Sequence, residues 1–244
     1  MDRNELISVW LDTESNFQNY PNKITSYVAK SSLWKAPEEA EVFNLNKVEV
    51  LVINQDCIEV AKQLSNSGKT CMLNMASYKH PGGGVKRGAM AQEEELARRS
   101  NMMLGLELHE NSYPLGLDDY IYLKSVTFFK DKYYNITDAF DCDIVTIAAI
   151  NLNGLEKPFN YNFLMLAKIK SIFNSAKKEG CKNLVLSAFG CGVFKNDPTE
   201  VANMFKSVIQ ENLRNFDKIY FAILNDRNAD NDNFTIFKTI LENA

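Results

Sequence analysis

From Val48 onward the chain alternates short β-branched runs with segments whose apolar residues recur every three to four positions, and this alternation restricts the fold class more than any other feature. VEVLVI (48–53), TCMLNM (70–75), IYLKSVTFF (121–129), DIVTIAAI (143–150), NLVLSAF (183–189) and KIYFAIL (218–224) are six strand candidates. Between them, Phe163, Leu166, Ile169, Phe173 and Ala176 line one helix face ahead of Gly180, and Val201, Met204, Phe205 and Val208 line another after Pro198. The second helix has a readable start: Asp197 can cap it, Pro198 suits the first helical position, and Glu200 lies three residues after the cap. Shorter helices fit 56–66, 92–104 and 232–242. Strands alternating with helices predict a layered α/β domain with both faces of its sheet covered, and the strongly apolar 143–150 and 183–189 as central strands.

A chain of 244 residues with 45% hydrophobic and 24% charged side chains buries a sizeable core without needing disulfides or metals. Residues 1–45 are polar and helix-leaning, with Trp10, Phe17, Tyr20, Tyr27 and Trp34 as anchors. They are expected to form a helical extension packed on a main domain over 46–244, and 105–120 is expected to run over the surface. The net charge of -4 gives no general attraction to nucleic acid or anionic membranes, so an anionic ligand must be held locally.

The five cysteines are odd in number and lack C-x-x-C spacing, which indicates neither a cysteine zinc site nor a disulfide framework and predicts reduced, mostly buried thiols. No apolar stretch reaches the ~18 residues of a membrane span, and the start lacks a signal-peptide core, so a cytoplasmic monomer is expected. With His80 and His109 the only histidines, His-rich metal sites are excluded and attention moves to carboxylates.

Six of the 11 glycines fall in two loops, four within 82–88 and two at 190 and 192. Each loop follows a strand candidate and precedes a helix, the place where a parallel α/β sheet binds ligands. In the first, Gly82, Gly83 and Gly84 allow close backbone approach and can turn N–H groups towards oxygen anions, and Gln92-Glu93-Glu94-Glu95 opens a helix seven residues later. In the second, SAFGCGVFKNDP (187–198), Gly190 and Gly192 can form a nest for a diphosphate and Phe194 can offer a ring face to a sugar or base. Cys191 has no histidine placed beside it by the sequence, which argues against a nucleophile. Neither loop fits the triphosphate P-loop or the dinucleotide fingerprint.

Gly82-Gly83-Gly84, seven intervening residues and then Gln92-Glu93-Glu94 resembles the signature of the microbial-type poly(ADP-ribose) glycohydrolases, which are built on a macrodomain. LNMAS (73–77), AAIN (148–151) and SAFGCGVFKNDP resemble further segments of that family in the expected order. The resemblance implies a macrodomain-like three-layer α/β/α sandwich with a mixed, mostly parallel central sheet and an ADP-ribose cleft. It implies Gly82 to Gly84 along the diphosphate and distal ribose, Glu93 on the ribose hydroxyls with Gln92 beside it, and Glu94 as the catalytic acid. Gly190, Cys191, Gly192 and Val193 would form the second phosphate loop, with Phe194 and Asn74 placing the distal ribose. The substrate implied is poly(ADP-ribose) or ADP-ribosylated protein and the product ADP-ribose, with no cofactor and no metal. Removal of single ADP-ribose units, or ADP-ribose binding without catalysis, are the alternatives. Phe221, Phe189 and Tyr78 are candidates for stacking on adenine.

Neighbouring residues on a helix point about 100° apart, so Glu93 and Glu94 are expected to face different ligand atoms. A protonated Glu94 would donate to the leaving oxygen and then activate water, its pKa raised by Glu93 and the substrate diphosphate against the opposing helix terminus. Arg98 and Arg99, with Lys86 and Arg87, are read as a solvated face that can meet polymer phosphates.

Overall fold

The computed structural model describes residues 1–31, 48–224 and 232–242. Seven strands form one sheet: β1 (Thr25–Lys30), β2 (Glu49–Ile53), β3 (Thr70–Met75), β4 (Asp119–Lys130), β5 (Ile136–Ile147), β6 (Asn183–Leu186) and β7 (Lys218–Ala222). Their spatial order is β1-β4-β5-β3-β6-β7-β2. The pairs β5/β3, β3/β6, β6/β7 and β7/β2 are parallel, whereas β4 runs antiparallel to both β1 and β5. The sheet is therefore mixed and mostly parallel, as expected, and β3 lies at its centre between β5 and β6.

Helices α1 (Arg3–Ser15), α2 (Cys57–Ser65), α3 (Gln92–Arg98) and α4 (Met102–Leu106) cover one face; α5 (Tyr161–Lys178), α6 (Pro198–Glu211) and α7 (Asn233–Glu242) cover the other. Strand alternation divides the core between them. Cys71, Leu73, Tyr122, Val145 and Ile147 pack towards α5–α7, while Met72, Ile121, Leu123 and Ile144 pack towards α1–α4. Phe205 of α6 meets Phe221 of β7 edge-on at 5.1 Å, with Phe237 of α7 against both. Emptying such a fully buried aromatic position typically costs about 3–5 kcal/mol. The reading of the α6 start holds: the Asp197 carboxylate accepts the Glu200 N–H at 2.9 Å and Pro198 opens the helix.

The structure differs from the sequence expectations in three places. The helix-leaning segment 1–45 forms α1 but also β1, the edge strand of the main sheet, in register from Thr25↔Lys124 to Lys30↔Asp119. Trp34 lies outside the described residues. The helix expected over 92–104 breaks into α3 and α4, because Arg99 to Asn101 turn to bond β4: Asn101 exchanges N–H and side-chain bonds with Thr127, and the Arg99 carbonyl accepts from Phe129. The strands expected to run to 150 and 189 end at Ile147 and Leu186, and the residues beyond them become loops.

Candidate active site

β5, β3 and β6 are parallel neighbours, so the loops that leave Met75, Ile147 and Leu186 emerge at one edge of the sheet. Both glycine loops are among them. The Ala76 N–H donates to the Ile147 carbonyl, extending the β3/β5 pairing one step into the loops.

Gln92 fixes the start of α3. Its side-chain oxygen accepts the Met75 N–H at 2.8 Å and its amide donates to the Leu73 carbonyl at 2.6 Å. The expected substrate-contacting amide is therefore engaged by the β3 main chain on both sides, and what it positions is the two glutamates that follow. Glu93 and Glu94 are both buried. Glu93 accepts from the Ser77 N–H at 2.7 Å and from the Asn74 amide at 3.3 Å; that amide also donates to Thr146 at 3.2 Å. Asn74 itself is fully buried behind Glu93, and its Oδ1 has no partner among the described residues. Glu94 Oε1 accepts the Gly84 N–H at 2.8 Å.

The glycine turn fits around these carboxylates. Gly82 and Gly83 have φ of +67° and +61°, the left-handed region that glycine adopts without Cβ strain. A Cβ on Gly83 would run into Glu94 Oε1 and stand 3.0 Å from Glu93 Oε2. The two carboxylates therefore approach one glycine from different sides although their Cα–Cβ bonds diverge. Burial pushes the Glu93 carboxyl up to about 8, with the Glu94 charge adding to the shift and the Ser77 N–H and Asn74 amide opposing it. Desolvation, ahead of like-charge repulsion, is thus the first cause of the elevated carboxyl in this pair.

The second loop is tied down by Asn196, which the sequence reading passed over. Its amide donates to the carbonyls of Ile150 at 2.8 Å and Gly190 at 2.9 Å, and its Oδ1 accepts the Tyr161 hydroxyl at 2.8 Å. The Leu152 N–H donates to the Phe194 carbonyl at 2.9 Å, which joins the loops after β5 and β6. Gly190 has φ +76°, and a Cβ there would lie 2.6 Å from Ala149 Cβ. Gly192 and Phe194 are half-buried and Val193 is exposed. Cys191 is buried and its thiol is pushed up by that burial, the opposite of an activated nucleophile.

Other expectations are overturned. Phe189 and Phe221 are fully buried in the core and cannot present a face to a base, whereas Tyr78 is half-buried in the first loop. Arg98 and Arg99 are also fully buried, not part of a solvated face. Arg99 pairs with Asp56 and Glu59, each at 2.8 Å. All five cysteines are free thiols. Among the described residues no helix is long and apolar enough to cross a membrane.

Residues 12–131 match the family model described as the microbial-type PARG, catalytic domain, a span that includes Asn74, the glycine triplet and Gln92 to Glu94. Over that span the chain is similar to the catalytic domain of the microbial-type poly(ADP-ribose) glycohydrolases. The X-ray structure of poly(ADP-ribose) glycohydrolase from Thermomonospora curvata has a similar fold: TM-score 0.81 at 22% identity, over 98% of this chain and 100% of that one. The enzyme from Deinococcus radiodurans in complex with ADP-ribose aligns at TM-score 0.72 and 27% identity, covering 82% of this chain and 86% of that one. No curated protein sequence matches the chain. The matched span covers the first glycine loop but stops short of Gly190 to Phe194.

Proposed function

We propose that the chain hydrolyses ribose–ribose bonds of poly(ADP-ribose), releasing ADP-ribose, with Glu94 as the acid and then the base. The observation that carries this reading is the convergence of Glu93 and Glu94 on Gly83, at the edge where both glycine loops emerge. The match to the microbial-type PARG catalytic domain and the similarity to the Deinococcus radiodurans structure in complex with ADP-ribose support the same ligand. On this reading the fold is a macrodomain, Gly82 to Gly84 and Gly190 to Val193 flank the diphosphate, and Asn74 and Phe194 shape the distal ribose site.

Glu94 donates its proton to the departing 2′-oxygen as the bond to the anomeric carbon breaks through an oxocarbenium-like state; the carboxylate then takes a proton from the attacking water and is regenerated. Glu93, neutral below about pH 8, can both accept from and donate to ribose hydroxyls without adding a negative charge beside the diphosphate. On the same reading the protein acts in the cytosol as a monomer. Glu94→Gln should abolish ADP-ribose release from labelled polymer while retaining micromolar binding of ADP-ribose by calorimetry. Undiminished turnover by this variant would remove Glu94 from its role. Parallel incubation with mono-ADP-ribosylated protein separates polymer cleavage from removal of single units.

A further inference from the structure

We propose that Arg98 is a positioning residue for Glu94, acting through the main chain of the glycine turn and tying α1 to it; this rests on Glu94 being the catalytic acid. Arg98 lies four residues after Glu94 and is fully buried. A buried guanidinium is costly to desolvate and is often no more stabilising than a hydrophobic residue of similar volume, so its partners indicate what it is for. One arm donates to Glu95 Oε1 at 3.1 Å, and Glu95 is in turn held by the Tyr134 hydroxyl at 2.8 Å. Another nitrogen reaches the Leu6 carbonyl of α1 at 3.4 Å, and the third bonds the Ala89 carbonyl.

Ala89 is the link to the site. Its N–H donates to the Gly84 carbonyl at 3.1 Å, and the Gly84 N–H donates to Glu94 Oε1 at 2.8 Å. Three hydrogen bonds therefore run from the guanidinium to the carboxylate, through the main chain of the glycine turn. α1 closes the arrangement from outside. Its Thr13 hydroxyl donates to the Arg98 carbonyl at 2.5 Å and accepts from the buried Lys130 at 2.7 Å, and the Arg3 carbonyl packs on Gly88, whose φ is +69°. The adjacent Arg99, equally buried, points instead to Asp56 and Glu59 and supplies an internal comparison.

The test compares Arg98→Lys with Arg99→Lys in the full chain. Arg98→Lys should lower kcat at least tenfold with KM for polymer changed less than threefold. Arg99→Lys should leave kcat within twofold even where its melting temperature falls as far. Amide hydrogen exchange at Gly84 and Ala89 should quicken in Arg98→Lys while α5 and α6 stay protected. In a Glu94→Asp background, which already breaks the last bond of the relay, Arg98→Lys should cost less than threefold more. Equal kcat losses in the two lysine variants, or a full additional loss in the Glu94→Asp background, would overturn the assignment. If Arg98→Lys does not fold, Glu95→Gln takes its place: it loosens one anchor of the guanidinium and should lower kcat several-fold at constant KM, and an unchanged kcat overturns the relay. Wild-type turnover by Glu94→Gln would instead defeat the acid assignment, leaving the exchange measurement to judge the relay alone.

Discussion

Gly83→Ala separates backbone strain from disturbance of the carboxylates. Gly83 has φ +61°, where a non-glycine residue pays about 1–2 kcal/mol. For a domain of this size that corresponds to a fall in melting temperature of roughly 2–8 °C. The new methyl group would also overlap Glu94 Oε1 and crowd Glu93 Oε2 at 3.0 Å. Both obstacles are the tips of side chains, so they can swing aside at little further cost in stability; the cost appears in geometry. Displacing a catalytic group by about 1 Å can lower the rate by ~10²-fold, which is about 2.7 kcal/mol at ~1.36 kcal/mol per decade. Gly180 is the control, since its φ is +74° but a Cβ there meets nothing within 4 Å. Gly180→Ala should melt earlier by a similar interval and release ADP-ribose at the wild-type rate. Calorimetric melting together with initial rates on polymer decides the matter. A Gly83→Ala enzyme of wild-type kcat/KM, or a Gly180→Ala enzyme equally impaired, would refute the reasoning.

At Gly190→Ala the obstacle is Ala149 Cβ at 2.6 Å, an atom fixed to the backbone, so the penalty should fall on folding. A loss of about 2–4 kcal/mol in urea denaturation is expected from φ strain plus overpacking, and a loss under ~1 kcal/mol would contradict it. Asn196→Ala removes the side-chain donor to the Ile150 carbonyl and one of the two donors to the Gly190 carbonyl, and should cost about 1–3 kcal/mol and weaken ADP-ribose binding measured by calorimetry. For Glu93, the folded chain holds a proton between pH 4.5 and about 8 that the unfolded chain releases. Its contribution is therefore fully present below the lower value and lost as pH rises through the upper one. Glu93→Gln should remove that part of the slope in denaturation between about pH 5 and pH 9, and an unchanged slope would count against the burial of this carboxyl.

Gly82 to Gly84 and Glu93-Glu94 were legible in the sequence because what they contribute belongs to the residue type: absent side chains where the chain turns sharply, and carboxylates at a helix start. Residues whose meaning depends on burial were not. Arg98 and Arg99 look like any charged pair on a helix, and only the packing of α1 and α2 over them makes both inaccessible. Phe189 and Phe221 are as apolar as a base-stacking ring would be, and their assignment to the core is decided by α6 and α7. Thr25–Lys30 reads as polar because an edge strand buries little of its surface, and the break in the helix at 99–101 is imposed by a β4 partner 26 residues further on.

The carboxylate pair shows where local geometry stops being sufficient. Successive helical Cα–Cβ bonds do diverge, but a glutamate side chain has enough torsional freedom for tertiary donors to choose its endpoint. Ser77 and Asn74, from β3 and the loop after it, draw Glu93 to one side of Gly83, while the Gly84 N–H draws Glu94 to the other. Side-chain volume is excluded at that glycine, and on the proposed mechanism this leaves room for the ribose and the glycosidic oxygen beside both carboxyls. The triplet and the glutamate pair are then not two motifs that happen to coexist. Each supplies what the other lacks, a turn too bare to orient a sugar and two acids too mobile to be aimed, and the hydrogen bond between Gly84 and Glu94 is where they become one device.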